Sequence, residues 1–186
     1  MTRIVAGALG GRRITAPAGR DTRPTSDRVR EALFSTLESL TTLEGCRFAD
    51  LYAGSGAVGL EAASRGASAV LLIESDPRAA RTVRANIAAL DLAQRCELIV
   101  ARIPAALANT PPVPFDVVFA DPPYELGEPD IAELLRALVA QQWLAPDAVV
   151  VLERSARSPE PAPVEGVTSE RGRRYGESML WYLRGA

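Results

Sequence analysis

Short apolar runs alternate with amphipathic segments along most of this chain of 186 residues. The apolar runs are bounded by Gly, Pro or acidic residues, a pattern typical of buried parallel strands. The segments between them repeat apolar residues every three or four positions, as helices with one buried face do. This alternation predicts an α/β fold with a mostly parallel sheet and helices on both faces. The predicted strands are residues 46–52, 69–73, 97–100, 115–120 and 148–152, and the predicted helices are residues 57–65, 77–90, 104–108 and 128–141.

Both ends of the chain add smaller elements. Near the N-terminus, Arg3–Ala6 and Arg12–Ala16 flank several glycines and predict a short hairpin. A helix over residues 25–40 follows, and a second predicted hairpin, residues 166–174 with 177–184, closes the sheet. We therefore divide the chain into two parts, a basic N-terminal arm of residues 1–22 and an α/β domain of residues 23–186.

A glycine-rich turn joins the first predicted strand of the domain to its helix, in the sequence Gly-Ser-Gly-Ala-Val-Gly. Glycines permit unusual φ values and let a ligand approach the backbone closely. The next strand ends at Glu74, about 20 residues beyond the glycines, where an acid can accept from both hydroxyls of a ribose. The unit thus predicts a site for a nucleoside-containing cofactor. Its candidate residues are Asp50, Tyr52, Ala53, Gly54, Ser55, Gly56, Gly59, Glu74 and Ser75.

Two classes of cofactor fit this turn. Residues 54–59 match the G-x-G-x-x-G pattern of dinucleotide sites, so a nicotinamide or flavin enzyme is one alternative. Asp50 argues against it, because a carboxylate beside the glycines would repel a pyrophosphate. The same carboxylate would attract the cationic methionine part of S-adenosylmethionine, which we therefore favour.

The tetrapeptide Asp121-Pro122-Pro123-Tyr124 follows the apolar strand 115–120. Open α/β sheets bind ligands at the carboxyl ends of their strands. Two prolines make the segment rigid, so the Asp121 carboxylate, the Pro122 carbonyl and the Tyr124 ring are expected close together. Two acceptors and a ring suit a flat amino group, which makes Asp121–Tyr124 the candidate catalytic set. Asp121 is also a candidate cofactor-binding residue. The alternative is an ordinary strand that ends in a proline-rich turn.

The amino-acid composition argues against several kinds of active site. The chain has no histidine and no lysine, so all 21 basic residues are arginine. Histidine is the commonest metal ligand and the commonest general base, so we expect neither a metal site nor a Ser-His-Asp hydrolase. There is no apolar run of membrane-spanning length and no signal-peptide pattern at the N-terminus. Cys46 and Cys96 are expected to be reduced core residues of a cytoplasmic protein.

The net charge of −2 is unevenly distributed. Residues 1–30 contain seven arginines and two acids, which gives +5 and leaves −7 for residues 31–186. A second basic cluster, Arg171, Arg173 and Arg174, lies near the C-terminus. An acidic body with a basic arm is typical of a protein that contacts a nucleic acid along one face. A solvated surface without a partner is the alternative.

Several strings of this sequence together resemble the RsmD family of bacterial 16S rRNA guanine-N2 methyltransferases. The most specific is Arg23–Glu31, which reads Arg-Pro-Thr-Ser-Asp-Arg-Val-Arg-Glu. The Asp-Pro-Pro-Tyr motif is shared more widely with methyltransferases that modify amino groups. The resemblance spans nearly the whole chain and includes Arg3–Gly7, Gly11–Arg13, Phe34, Asp50–Glu61, Leu72–Glu74, Asp121–Tyr124, Trp143–Leu144 and Glu153.

The resemblance implies a Rossmann-like fold with a seven-stranded sheet whose last strand is antiparallel. It implies S-adenosylmethionine as methyl donor and the guanine conventionally numbered 966 of 16S rRNA as substrate, in the small subunit or an assembly intermediate. Arg102 follows the third strand, where many such enzymes place an acid or Asn near the adenine. Guanidinium only donates, so backbone groups of residues 101–103 are expected to complete that contact. The predicted RNA contacts are Arg3, Arg12, Arg13, Arg23, Thr25, Arg28, Arg30 and Arg173.

Two other functions remain open at this stage. An adenine-N6 DNA methyltransferase would share the Asp-Pro-Pro-Tyr motif, although 186 residues leave no room for a separate target-recognition domain. A non-catalytic RNA-binding assembly factor could retain the fold, although the intact Asp50, Gly54, Gly56 and Asp121 argue against loss of activity. We expect a monomer that binds rRNA and needs neither a metal nor a membrane.

Overall fold

The computed structural model describes residues 2–18 and 25–186. The chain divides into two units, Met1–Arg102 and Ile103–Ala186. The elements of the first unit are β1 (Thr2–Arg3), β2 (Arg13–Ile14), α1 (Asp27–Leu40), β3 (Arg47–Asp50), α2 (Ala57–Ser64), β4 (Ala69–Glu74), α3 (Pro77–Ala89) and β5 (Cys96–Val100). Strand β4 lies between β3 and β5 and pairs with both in parallel. The carboxyl ends of these strands therefore lie at one edge of the sheet.

The second unit begins with a 3₁₀ turn, Ala105–Leu107, and continues through β6 (Phe115–Ala120), α4 (Glu128–Ala140), β7 (Leu144–Ser155), β8 (Val167–Tyr175) and β9 (Ser178–Gly185). Its strand order is β6-β7-β9-β8. β6 and β7 are parallel, whereas β9 is antiparallel to both β7 and β8. The seven strands β3–β9 belong to one mixed sheet, so the predicted fold class with an antiparallel last strand is confirmed.

Most predicted elements occur where the hydrophobic pattern indicated them. Helix α1 begins after Ser26, whose Oγ accepts from the Val29 N–H, and it buries Leu33, Phe34 and Leu37. Helix α3 begins after Asp76, whose carboxylate accepts from the Arg78 N–H. Most bounds differ from the prediction by one or two residues, and two elements of the domain differ more. The helix predicted over residues 104–108 is a single 3₁₀ turn. Strand β7 is longer than residues 148–152, because Leu144 also pairs with Phe115 of β6 and residues 153–155 pair with β9.

The N-terminal hairpin is present but its paired strands are shorter than predicted. Thr2 pairs with Ile14 and Arg3 with Arg13, and the Ile4 N–H donates to the Arg12 carbonyl. The ladder stops there because the next backbone groups bond to side chains of the domain. The N–H groups of Val5 and Ala6 donate to the Glu61 carboxylate. Thus the arm is packed on the domain rather than standing apart from it.

Two further observations concern the described residues. Cys46 and Cys96 are both free thiols and both buried, as predicted. In residues 2–18 and 25–186, no helix has the length and apolar character needed to cross a membrane.

Candidate functional site

In the glycine turn after β3, the backbone is open to solvent at Gly54 and packed against the core at Gly56. Gly54 has a φ of 60°, and a Cβ added to it would meet no heavy atom within 4 Å. Gly56 has a φ of 84°, but its added Cβ would lie 3.2 Å from Leu72 Cδ2 and 3.3 Å from Leu60 Cδ1. The positive φ favours glycine at both positions, and at Gly56 the neighbouring leucine side chains also leave little room for a Cβ.

Asp50 supports this turn from inside the fold. Its side chain is 1% exposed, and its Oδ2 accepts from the Gly59 N–H across 3.0 Å. A Cβ at Gly59 would lie 2.9 Å from Leu72 Cδ2, so the Leu72 side chain would have to shift to accept it. Burial raises the pKa of Asp50 to about 7, an effect that the Glu74 charge increases and that backbone hydrogen bonds from Gly59 and Tyr52 oppose. Asp50 thus fixes the start of α2 relative to β3.

Glu74 holds the opposite side of the turn. Its Oε2 accepts from the Gly54 N–H across 2.7 Å, and its Oε1 accepts from the Asp76 N–H across 2.9 Å. The side chain is half-buried at the end of β4, and Ser75 beside it is exposed. The carboxylate is therefore oriented by two backbone donors at the position where a ribose is predicted to bind.

The other predicted cofactor residues lie in the same unit but differ in exposure. Ala53 and Ser55 are buried, and Tyr52 is half-buried. Arg102 is exposed, and the Ala101 N–H before it donates to the Glu74 carbonyl across 3.2 Å. Their direct contact with a cofactor stays a prediction.

In the second unit, the Asp-Pro-Pro-Tyr motif directly follows β6. Asp121 is half-buried, Pro122 is buried and Pro123 is exposed. The Leu126 N–H donates to the Pro123 carbonyl across 3.1 Å and closes a turn. This turn carries Tyr124 with 56% of the residue exposed, so its ring is accessible to a planar partner.

Arg154 at the end of β7 fixes this turn, a role that the sequence did not suggest. Its Nη2 donates to the Leu126 carbonyl across 2.8 Å and to Glu128 Oε1 across 3.2 Å. The residue is only 5% exposed. Because a buried guanidinium has few alternative partners, the contact restrains the segment that follows Tyr124.

The predicted RNA contacts fall into three groups. The exposed arginines, whose contact with RNA stays a prediction, are Arg3, Arg12, Arg13, Arg28 and Arg173. Thr25 is half-buried, and Arg23 lies outside the described residues. Arg12 also donates to the Ala89 carbonyl across 2.8 Å, and Arg3 lies 3.8 Å from the Asp27 carboxylate.

Arg30 is the exception, and its assignment as an RNA contact is corrected. It is 0% exposed. Its Nη2 donates to the Arg3 carbonyl and to Asp27 Oδ1, and its Nε lies 3.5 Å from Glu61 Oε2. Arg30 therefore stabilises the junction between the arm and α1. It repeats with Leu33, Phe34 and Leu37 on the buried face of α1, a spacing from which its burial could have been predicted.

Three buried polar residues that the sequence analysis missed attach the arm to the domain. Glu61 is 0% exposed and accepts from Val5, Ala6 and Arg65. Ser64 bonds to the Leu9 N–H and the Ala6 carbonyl. Asn86 bonds to Thr15 and to the Ser55 carbonyl. Their positions in the helices could have indicated their burial. Glu61 lies among mostly apolar residues of α2, and Asn86 repeats with Ala79 and Val83 on the buried face of α3.

The described parts of the chain, residues 2–18 and 25–186, contain no cluster of three or more Asp, Glu or Cys side chains that could hold a metal ion.

Known proteins match this chain over almost its full length. Residues 2–184 match the model of the family described as conserved hypothetical protein 95. Ribosomal RNA small subunit methyltransferase D of Escherichia coli (strain K12) is 36% identical over 151 residues, which are 81% of this chain and 73% of that protein. The protein of the same name from Haemophilus influenzae is 34% identical over 160 residues, 84% of this chain and 80% of that protein.

The chain belongs to the RsmD family.

Solved structures agree with this RsmD-family assignment. The structure of yhhF from Escherichia coli has a TM-score of 0.85 and 31% identity, covering 99% of this chain and 97% of that chain. Precorrin-6y C5,15-methyltransferase from Geobacter metallireducens shares the fold at a TM-score of 0.62, with only 18% identity. Fold alone therefore does not separate the RsmD family from methyltransferases of other kinds.

Proposed function

We propose that this protein transfers a methyl group from S-adenosylmethionine to the exocyclic N2 amine of the guanine conventionally numbered 966 in 16S rRNA. The observation that carries the proposal is the family match over residues 2–184, together with relatives named as small subunit rRNA methyltransferases. The open backbone at Gly54 and the acids Asp50 and Glu74 support a nucleoside cofactor with a cationic amino acid.

The residues of the glycine turn fit this cofactor better than a dinucleotide. A pyrophosphate would lie close to the buried Asp50 carboxylate, whose ionisation burial already disfavours. A cationic ammonium would instead favour the ionised form. Glu74 would accept from ribose hydroxyls, and Arg102 with the backbone of residues 101–103 would contact the adenine. When bound, S-adenosylmethionine supplies an electrophilic methyl group.

The main task of the protein in this reaction is to align the guanine amine with the methyl group. The N2 lone pair of guanine is delocalised into the ring, so the amine is a weak nucleophile until it is oriented. The Asp121 carboxylate and the Pro122 carbonyl accept its two N–H bonds and direct the lone pair outward. Pro123 keeps the segment rigid, and the exposed Tyr124 ring stacks on a base taken out of its helix. The leaving proton passes to Asp121 or to water, so no histidine is needed.

The exposed arginines of the arm, with Arg28 and Arg173, would bind rRNA phosphates. Such contacts supply affinity and orientation without reading the base sequence. The specific base would then be selected by the pocket at Asp121–Tyr124 and by the shape of the surrounding RNA.

A methyl-transfer assay tests the proposal. Purified protein and radioactive S-adenosylmethionine are incubated with 16S rRNA, with 30S particles that lack the modification, and with double-stranded DNA. We expect label in rRNA or particles, recovered as N2-methylguanosine at one position. Label in DNA adenine would replace the proposal with a DNA methyltransferase. RNA binding without transfer to any substrate would indicate an assembly factor.

A further inference from the structure

Asn86 connects the arm to the cofactor turn through its side-chain amide. Its Nδ2 donates to the Ser55 carbonyl across 2.9 Å, within the glycine turn. The same Nδ2 donates to the Thr15 carbonyl across 2.9 Å, and its Oδ1 accepts from the Thr15 N–H across 2.9 Å. Nδ2 is therefore shared between the two segments, whereas Oδ1 bonds the arm alone.

The orientation of this amide follows from its partners. Two of them are carbonyl oxygens, which only accept, and the third is an N–H, which only donates. Asn86 is 2% exposed, so water cannot replace a missing partner without cost. Movement of Thr15 would leave Oδ1 without its donor and Nδ2 without one of its two acceptors, so that the bond to the Ser55 carbonyl alone would orient the amide.

Two other buried polar residues, Glu61 and Ser64, bind the arm to the helix that follows the turn. Glu61 binds the N–H groups of Val5 and Ala6, and Ser64 binds those of the following turn. Both residues lie on α2, which begins directly after Gly56. Among these contacts, the Asn86 contact joins the arm to the turn itself rather than to the helix behind it.

We infer that Asn86 is a positioning residue that makes the conformation of the cofactor turn depend on the position of the arm. RNA that fixes the arm would thereby tighten cofactor binding, and cofactor would tighten RNA binding by the same factor, because coupling between two ligands is reciprocal. This inference rests on the proposed function, since it takes the arm as an RNA contact and the turn as the cofactor site.

The test is a binding cycle on the full chain with S-adenosylhomocysteine as cofactor probe. Its dissociation constant is measured by calorimetry with and without 16S rRNA. For the wild type we expect rRNA to tighten binding about fivefold or more. In Asn86→Ala this ratio should fall below about twofold. Asn86→Asp should behave likewise, because it keeps an acceptor for the Thr15 N–H but loses the donor to Ser55.

Ser64→Ala is the matched control. It also removes two buried hydrogen bonds to the arm, at Ala6 and Leu9, but leaves the Ser55 carbonyl untouched. We expect this variant to retain the wild-type ratio. Any of three outcomes would overturn the inference. The wild type could bind S-adenosylhomocysteine equally with and without rRNA, both Asn86 variants could keep the wild-type ratio of dissociation constants, or Ser64→Ala could lose as much of this ratio as they do.

Hydrogen exchange of the wild-type protein gives a second measurement that needs neither a variant nor RNA. The Thr15 amide donates to Asn86, so S-adenosylhomocysteine bound at the turn should slow its exchange several-fold. If saturating S-adenosylhomocysteine leaves the exchange rate of the Thr15 amide unchanged, the arm and the turn are not coupled. The methyl-transfer assay separates the two failures, because transfer to rRNA can persist when the coupling is absent.

Discussion

The Gly54 N–H donates to Glu74 Oε2 across 2.7 Å, so the acid at the end of β4 orders the glycine turn that follows β3. This relationship places the predicted ribose acceptor and the open backbone in direct contact. It also means that a change at Glu74 alters both the ligand contacts and the conformation of the turn, so the choice of substitution matters.

Glu74→Gln should weaken S-adenosylhomocysteine binding about tenfold or more. The amide keeps one acceptor for the Gly54 N–H, but it loses the charge-assisted bonds to ribose hydroxyls, each worth about 1.5–3 kcal/mol. Calorimetry measures the affinity. Glu97→Gln is the matched control, because it makes the same change at an exposed position of β5. Equal affinities of both variants would remove Glu74 from the cofactor site.

Gly54→Ala and Gly56→Ala should fail in different ways. The methyl group of Gly54→Ala enters open space, so the fold should lose only about 1–2 kcal/mol of stability from the positive φ while cofactor affinity drops sharply. In Gly56→Ala the methyl group approaches Leu72 and Leu60, so the melting temperature should fall further. Thermal melts paired with calorimetry distinguish the two. Normal cofactor binding by Gly54→Ala would show that the open space at this turn is not used.

Asp121→Asn should slow methyl transfer about 100-fold or more, the lower range for loss of a positioned acid–base group. S-adenosylhomocysteine affinity should change little if the carboxylate acts mainly on the amine. Single-turnover transfer to rRNA gives the rate. Glu125→Gln, an exposed neighbour in the same turn, should transfer at the wild-type rate. A variant at Asp121 that is as fast as this control would leave the motif without a catalytic role.

Asp50 predicts a pH dependence of stability. Its pKa is raised from 3.8 to about 7 in the folded state, so the folded protein binds more protons than the unfolded chain between these values. The contribution of this group to the free energy of unfolding therefore decreases as pH rises from about 4 to about 7. Asp50→Asn cannot titrate, and its amide oxygen can still accept from the Gly59 N–H.

The melting temperature of Asp50→Asn minus that of the wild type should therefore be larger at pH 8 than at pH 5. The increase should be at least about 3 °C, which corresponds to a difference of about 1 kcal/mol in the free energy of unfolding. Thermal denaturation followed by circular dichroism at the two pH values measures it. A difference that stays constant with pH would mean that Asp50 is ionised in the folded protein throughout this range.

The arm should dominate the salt dependence of RNA binding. Arg12→Gln combined with Arg13→Gln should lower the log–log slope of affinity against salt by roughly 0.7–0.9 for each phosphate that the variant no longer binds. The comparison is the triple glutamine variant of Arg171, Arg173 and Arg174 in β8. If the slope falls more in the β8 variant than in the arm variant, the main phosphate-binding residues lie near the C-terminus instead.

The sequence predicted those features that local patterns encode. The apolar run 115–120 became β6, and the glycines after residue 50 form the expected turn between β3 and α2. These signals are local, because a strand followed by glycines and a helix needs no distant partner to be recognised. The number of strands and the antiparallel last strand came instead from the resemblance to a known family, and the strand order was not predicted.

Partners distant in sequence were not predictable in the same way. Arg30 was assigned to RNA because it lies among other arginines, yet Glu61 and the Arg3 carbonyl bind it inside the fold. The arm was also predicted as a part separate from the domain. Removing it would leave the buried Glu61 without two of its donors, which is why point substitutions are preferred to truncation.

The bonds from Val5 and Ala6 to Glu61 join segments 56 and 55 residues apart. At a typical elongation rate, a ribosome needs roughly 3–11 s to add that many residues. Throughout this interval the carboxylate that binds the Val5 and Ala6 N–H groups has not been synthesised. The arm is therefore made before α2 but reaches its folded position only after α2 has emerged, so the order of synthesis and the order of folding are reversed here.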